Sequence, residues 1–258
     1  MILDEKEYVE NLIKNGSKTP YASVKDLTAL AKYYKFLNKE THEIRLLLEK
    51  FCYDTNKYYN PVLSGWKVDG ALNTIKRYKI RTSFPVVITK KEVETIKKWE
   101  DYSYQKILFL LIVMAKFLKY SHTRIVPSSK TRLINDFYAK DKITNIFKVA
   151  RVSANEDKRF DILYDFRKAG ILYFTHYDSL KIFCVDESSE PEIVVTDIND
   201  PILFWERYNG EKIAACSKCG KLFVKRSNRH SMCRSCFEEQ RKDKRKEYNK
   251  KYYENKNS

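Results

Sequence analysis

Apolar residues recur at helical spacing through most of residues 1–98, the pattern of helices that each bury one face. Asp4 to Lys14 is one amphipathic segment and Ser23 to Leu37 a second. The second opens on Ser23-Val-Lys-Asp26, a capping box with Asp in place of Glu, and puts Leu27, Leu30, Ala31 and Tyr34 on one face. Glu40 to Asp54 follows, striped by Ile44, Leu47, Leu48 and Phe51. Val62 to Tyr78 reads as a fourth helix despite Gly65 and Gly70. Phe84 to Thr89 is a short extended link, and Thr89 caps a helix running to Trp99.

The rhythm changes after residue 98. Tyr102 to Lys119 is a long helix apolar on most sides, with Ile107, Leu108, Leu110, Leu111, Val113 and Met114, so it belongs inside a core. A polar connection, Ser121 to Arg132, leads to an expected short helix, Leu133 to Ala139. Ile143 to Arg151 turns Ile143, Ile146, Phe147 and Ala150 inward. Asp157 to Ala169 is expected to bury Phe160, Leu163, Tyr164 and Phe166, with Gly170 at its C′ position. Two β-rich runs, Ile171–Thr175 and Leu180–Val185, flank the turn His176–Ser179. Helices followed by a β-hairpin are the order of a winged helix. In that arrangement Asp157–Ala169 enters a major groove, 176–179 is the wing, and Ser153, Asn155, Lys158 and Arg159 stand at the reading end. Asp157, Asp161 and Asp165 on the same helix would repel phosphates, so protein docking is an equal expectation. Residues 188–211 read as a link carrying an added strand at Glu192–Thr196 and a short helix from Pro201 through Trp205 and Tyr208.

The strongest chemical signal lies beyond that link. Cys216-Ser-Lys-Cys219 and Cys233-Arg-Ser-Cys236 are two C-x-x-C pairs, the spacing with which two tight turns deliver four thiolates to one tetrahedral zinc ion. Four thiolates close the coordination shell, which points to a structural rather than a catalytic Zn2+. Gly220 suits a knuckle turn that needs positive φ, and His230 is read as a loop residue rather than a ligand. The expected order is knuckle, hairpin from Lys221 to Met232, then a helix opening at the second pair, which resembles a treble-clef finger. Cys52 and Cys184 lack such spacing and read as buried apolar fillers.

Charge adds to this picture. The 258-residue chain has a formal net charge of +16. Residues 212–258 hold 15 Lys/Arg against 5 Asp/Glu, so most of the excess sits on the last fifth of the chain. A partner with regularly spaced negative charge is the simplest expectation: nucleic acid, with DNA preferred. Lys225, Arg226, Arg229, Arg234, Arg241, Lys242, Lys244, Arg245, Lys246, Lys250 and Lys251 are the candidate phosphate contacts. Tyr248, Tyr252 and Tyr253 among them could stack on bases. A membrane surface fits less well, because the tail lacks the Leu, Phe and Trp face of an interfacial helix. The longest apolar run, Ile107 to Ala115, is far short of the about twenty residues a bilayer requires. With no signal peptide before the first acidic residues, the expectation is a soluble, cytoplasmic protein of a bacterial or phage-infected cell.

No enzyme is expected. Gly65 and Gly70 are followed by Ala-Leu rather than Lys-Ser/Thr, so there is no phosphate-cradling loop. The four histidines, at 42, 122, 176 and 230, are isolated, and an HNH-type nuclease needs a His pair beside the metal. Glu92/Glu94 and Asp157/Asp161 read as solvated helix faces.

The overall expectation is a mainly α fold with small β. It comprises a helical domain (1–98), a winged-helix-like domain (99–187), a link (188–211) and a treble-clef-like four-cysteine zinc finger with a basic helix (212–258). From Gln105 onward the order of parts resembles uncharacterised winged-helix proteins with C-terminal four-cysteine zinc fingers, carried by phages and integrative elements of low-GC Gram-positive bacteria. The stretches Gln105–Lys116, Ile146–Val152, Lys168–Leu172 and Cys216-x-x-Cys219-Gly-Lys-Leu-Phe223 with Cys233-x-x-Cys236 carry this resemblance. It implies a mobile-element protein with a winged helix and a zinc finger, and no established activity. The finger, the basic tail and the winged helix together lead to the expectation of a non-enzymatic nucleic-acid-binding protein, a regulator or replication accessory of a phage or mobile element. The alternative expectation is an inhibitor or adaptor that docks on a host protein complex.

Overall fold

The computed structural model describes residues 4–17, 19, 21–120, 138–139, 143–175, 180–227 and 230–256. It is mainly helical with three small sheets. Helices α1 (Glu5–Asn15), α2 (Val24–Phe36), α3 (Thr41–Thr55) and α4 (Pro61–Ile75) pack around one apolar cluster, with Val9, Leu27, Leu30, Ile44, Leu48, Val68 and Ala71 fully buried. Local sequence sets where they start. Asp4 caps α1, the Ser23–Asp26 box closes the N-terminus of α2 as expected, and Asn60 followed by Pro61 starts α4.

A second, larger cluster surrounds α6 (Tyr102–Tyr120), on which every residue from Ile107 to Ala115 is buried. Strand β1 (Val86–Thr89) feeds α5 (Lys90–Lys97) and pairs antiparallel with β5 (Pro191–Val195), Val86 opposite Val195. The stretch expected as a link is therefore built into the core. Ile193, Val195, Ile198, Ile202 and Trp205 are buried there, the last two on α9 (Ile202–Tyr208), and the ring of Trp205 lies 5.2 Å from that of Phe109. A link of solvated residues could not have supplied that apolar surface.

Between these strands run β2 (Tyr138–Ala139), α7 (Ile143–Val149), α8 (Glu156–Lys168), β3 (Leu172–Phe174) and β4 (Leu180–Ile182). The sheet order is β2-β4-β3, antiparallel throughout. Two expectations change here. Tyr138 and Ala139 form a strand instead of ending a helix, because β4 offers them an edge to pair with. Phe160 and Tyr164 are about half exposed, while Ile162, Leu163 and Phe166 carry the inward face of α8. Gly170 is left-handed at φ 72°, ending α8 as its position suggested. The expected connection 121–132, residues 133–137 and the wing turn 176–179 lie outside the described residues, as does the side chain of Ile143.

Two buried charge networks tie the larger cluster together. Glu92, expected on a solvated helix face, is instead fully buried and accepts from the Thr89 N–H (2.8 Å), the Asp186 N–H (2.9 Å) and Lys116 Nζ (2.7 Å). Lys116 completes its three donations at the carbonyls of Val87 (2.8 Å) and Asp186 (2.9 Å). Glu206 likewise accepts from Lys106 (2.6 Å) and Arg151 (3.0 Å), and Arg151 also reaches Asp200 at 2.7 Å. Each buried carboxylate here meets a cation, and Lys116 uses all three of its donors, the condition under which burial is tolerated.

Candidate metal centre and basic helix

The C-terminal module starts with a hairpin, β6 (Ile213–Ala215) paired to β7 (Leu222–Val224), Ala214 opposite Phe223. The first cysteine pair occupies its tip. The expected hairpin from Lys221 to Met232 is thus displaced: the strands flank the knuckle instead of following it. Only Leu222–Val224 of that range is strand among the described residues. The Cys216 N–H donates to the Lys221 carbonyl and the Gly220 N–H to the Cys216 carbonyl, both at 2.9 Å, closing the turn. Gly220 sits at φ 72°, where a side chain would be strained. The second pair opens α10 (Arg234–Lys256), and the Ser217 N–H donates to the Ser231 carbonyl at 2.9 Å, fastening one cysteine turn to the other.

The four sulfurs of Cys216, Cys219, Cys233 and Cys236 lie within 4.8 Å of one another, and those of Cys219 and Cys233 stand 3.7 Å apart. A tetrahedron with metal–sulfur bonds of about 2.3 Å has sulfur–sulfur edges of about 3.8 Å. A disulfide needs about 2.05 Å, and all four cysteines are free. The donor set therefore fits one thiophilic ion. Burial opposes ionisation of Cys216, but backbone N–H groups of Cys233, Cys219 and Lys218 prevail and lower it to about 6. Cys236, against the sulfurs of Cys233 and Cys219, is pushed up to about 12. A bound cation reverses that second preference, since it favours thiolate over thiol at every ligand. His230 takes no part: its ring packs edge-on against Phe223 at 4.8 Å and its Nδ1 accepts from the Arg226 N–H at 3.3 Å.

The module buries little else. Cys216, Phe223 and Cys236 form its small core, with Ala214, Met232 and Cys233 alongside. Its hairpin lies against α9, and ion pairs tie it to α1. Lys221 pairs with Glu7, while Glu239 of α10 meets both Lys218 (3.1 Å) and Lys14 (3.4 Å). Beyond those first turns α10 makes no substantial packing contact with another described helix or strand, and Phe237 to Asn249 are all exposed.

Arg241, Lys242, Lys244, Arg245 and Lys246 project from this unpacked helix. Lys250 and Lys251 continue it, although their side chains and those of Tyr252 and Tyr253 lie outside the described residues, as do Arg229 and Asn228 entirely. Lys225 is half-buried and Arg226 exposed beside the knuckle, and Arg234 is paired with Glu238 at 2.7 Å. Of the residues expected at the reading end of α8, two make contacts within the protein. Asn155 is its N-cap, accepting from the Lys158 N–H at 3.0 Å, and the Arg159 guanidinium lies over the Phe147 ring at 5.9 Å. Ser153 and Lys158 remain exposed. Sequence reasoning missed a separate surface, the start of α4, where Tyr58 (93%), Val62 (90%), Leu63 (73%) and Trp66 (63%) are exposed together. Four large apolar residues within nine positions, opposite the buried Val68 and Ala71 stripe, were the available signal.

No protein-family model matches the chain, nor does any curated protein or solved structure. No described helix is long and apolar enough to cross a membrane.

Proposed function

We propose that the chain is a non-enzymatic nucleic-acid-binding protein in which one structural zinc ion on Cys216, Cys219, Cys233 and Cys236 anchors a cationic helix. The observation that carries this reading is α10 itself. It is a helix of 23 residues, exposed from Phe237 to Asn249, dense in Lys and Arg, and fastened at one end to the cysteine cluster. An unpacked helix of that charge is a partner surface for a polyanion. The ion would supply folding free energy to a module whose apolar core is too small to hold it.

A winged-helix assignment of residues 99–187 is supported by the order helix, strand, helix, helix, strand, strand and by the sheet order β2-β4-β3. A treble-clef assignment of the finger is supported by a knuckle at a hairpin tip and a second pair opening a helix. A role as regulator or replication accessory of a mobile element fits these parts. Equilibrium titration with random-sequence duplex DNA tests the reading. Affinity falls steeply with salt, and removal of residues 241–258 lowers the slope by about 0.9 for each phosphate no longer neutralised. An unchanged slope overturns it.

The apolar surface at Tyr58, Val62, Leu63 and Trp66 favours a second reading, an adaptor docking on a protein complex. Capture of one host protein that V62S/W66S abolishes, by a chain with no DNA affinity at low salt, would replace the first reading with this one.

A further inference from the structure

We infer that α10 is a sequence-reading helix for the major groove of duplex DNA, with Arg241, Arg245 and Asn249 as its base-contacting residues. This rests on the nucleic-acid reading above and adds which polymer is bound and which side chains read it.

The inference starts from helical register. Arg241, Arg245, Tyr248 and Asn249 are spaced i, i+4, i+7, i+8 and share one face of α10, and all four are exposed, Tyr248 at 70%. Asp243 and Glu247, themselves i and i+4, share the opposite side. The two carboxylates nearest the metal end are already matched, Glu238 by Arg234 and Glu239 by Lys218 and Lys14. Acid is thus neutralised or turned away, and the free face carries two guanidinium forks and an amide. Those are the groups that bond bidentately to guanine O6/N7 and to adenine N6/N7. Lys242, Lys244 and Lys246 flank this face, where point charges suit phosphates on either side of a groove.

Shape selects the polymer. At 1.5 Å per residue α10 is about 34 Å long and, with side chains, about 10–12 Å across. The B-form major groove, about 12 Å wide, admits such a rod. The deep, narrow major groove of A-form RNA does not. The first turn of α10 is held at the cysteine cluster, with Glu239 paired to Lys218 and Lys14 beside it, so the rest of the helix extends from one anchored end, as a groove-entering arm requires. Helix α8 is the poorer reader. Its Asn155 caps the helix, its Arg159 is half-buried over Phe147, and Asp157 and Asp161 are exposed on its surface.

The test is selection of binding sites by the zinc-loaded full chain from a randomised duplex library, followed by titration of three probes. These are the selected duplex, a scrambled duplex and a double-stranded RNA of equal length. Selection is expected to yield a short motif containing guanine and adenine, bound in preference to the other two probes. R241K/R245K keeps the charge but loses the forks, so the ratio of affinities for the selected over the scrambled duplex falls about 5- to 150-fold for each bidentate pairing removed. N249A lowers preference at an adenine position alone. Far-UV circular dichroism and zinc content confirm that these exposed substitutions leave the module folded. Equal binding to all duplexes, or to RNA and DNA alike, with a steep salt slope, overturns this inference and leaves the phosphate-binding reading standing. No binding to any polyanion removes both.

Discussion

Single side chains hold this structure where charge is buried. Lys116 gives all three of its donors to Glu92 and to the carbonyls of Val87 and Asp186, so α6, β1, the start of α5 and the segment after β4 meet at one ammonium. Lys116→Met strands the fully buried Glu92, a loss of about 3–5 kcal/mol measurable by denaturant titration. The double variant K116M/E92Q is expected to recover part of that loss, since neither partner then leaves an unpaired charge. Asp26 is a second case. Burial opposes its ionisation, but the hydroxyls of Tyr8, Ser23 and Ser17 and the Ser23 N–H outweigh it and hold the carboxyl below its usual range. The unfolded chain then binds the proton more readily, so this contribution is complete above about pH 4 and is lost as pH falls further. A pH series of melting temperatures should show that acid limb, and Asp26→Asn should flatten it.

At the scale of elements, the contrast lies between α6 and α10. Both are long helices. One is buried on every side from Ile107 to Ala115, and the other is exposed from Phe237 to Asn249. Burial of α6 makes its stability a property of the core, whereas α10 depends on its anchored first turn and on pairs such as Arg234–Glu238. Chelation is therefore expected to remove the hairpin β6–β7 and much of α10 while leaving the helices of the two larger clusters intact. Hydrogen exchange would show this as reduced protection confined to residues 213–256. Elemental analysis of the native protein should find one zinc per chain, and Cys216→Ser or Cys236→Ser should lower that occupancy and reproduce the effect of chelator.

Across the whole molecule, the finger is tied to α1 by Lys221–Glu7 and Lys14–Glu239, while its β6–β7 hairpin lies against α9 of the larger cluster. Exposed pairs of this kind contribute about 0–1 kcal/mol each and weaken in salt. Glu7→Ala also removes the acceptor of Asn199, which donates to Glu7 at 2.7 Å. It should raise exchange in β6 and β7 without moving the main thermal transition. The two larger clusters each carry their own apolar interior, so their packing does not depend on these exposed pairs.

Local chemistry was legible in the chain. The Ser23 capping box, the Thr89 cap, the turn glycines at 170 and 220 and the periodic stripes of α1 to α4 act within a few residues, so spacing alone reveals them. The two cysteine pairs were legible for the same reason, since each is one turn, and a common ion needs only that the turns can meet. What depended on distant partners was not. Tyr138–Ala139 became strand because β4 was beside it, residues 188–211 joined the core because β1 lacked a partner, and Phe160 and Tyr164 turned outward because Ile162, Leu163 and Phe166 already filled the space beneath α8. The cations of α10 could be counted from composition, but whether they rimmed a packed helix or stood free was decided by packing. Sequence specifies what a segment can do with its neighbours in the chain, while tertiary structure decides which apolar surfaces remain to be covered.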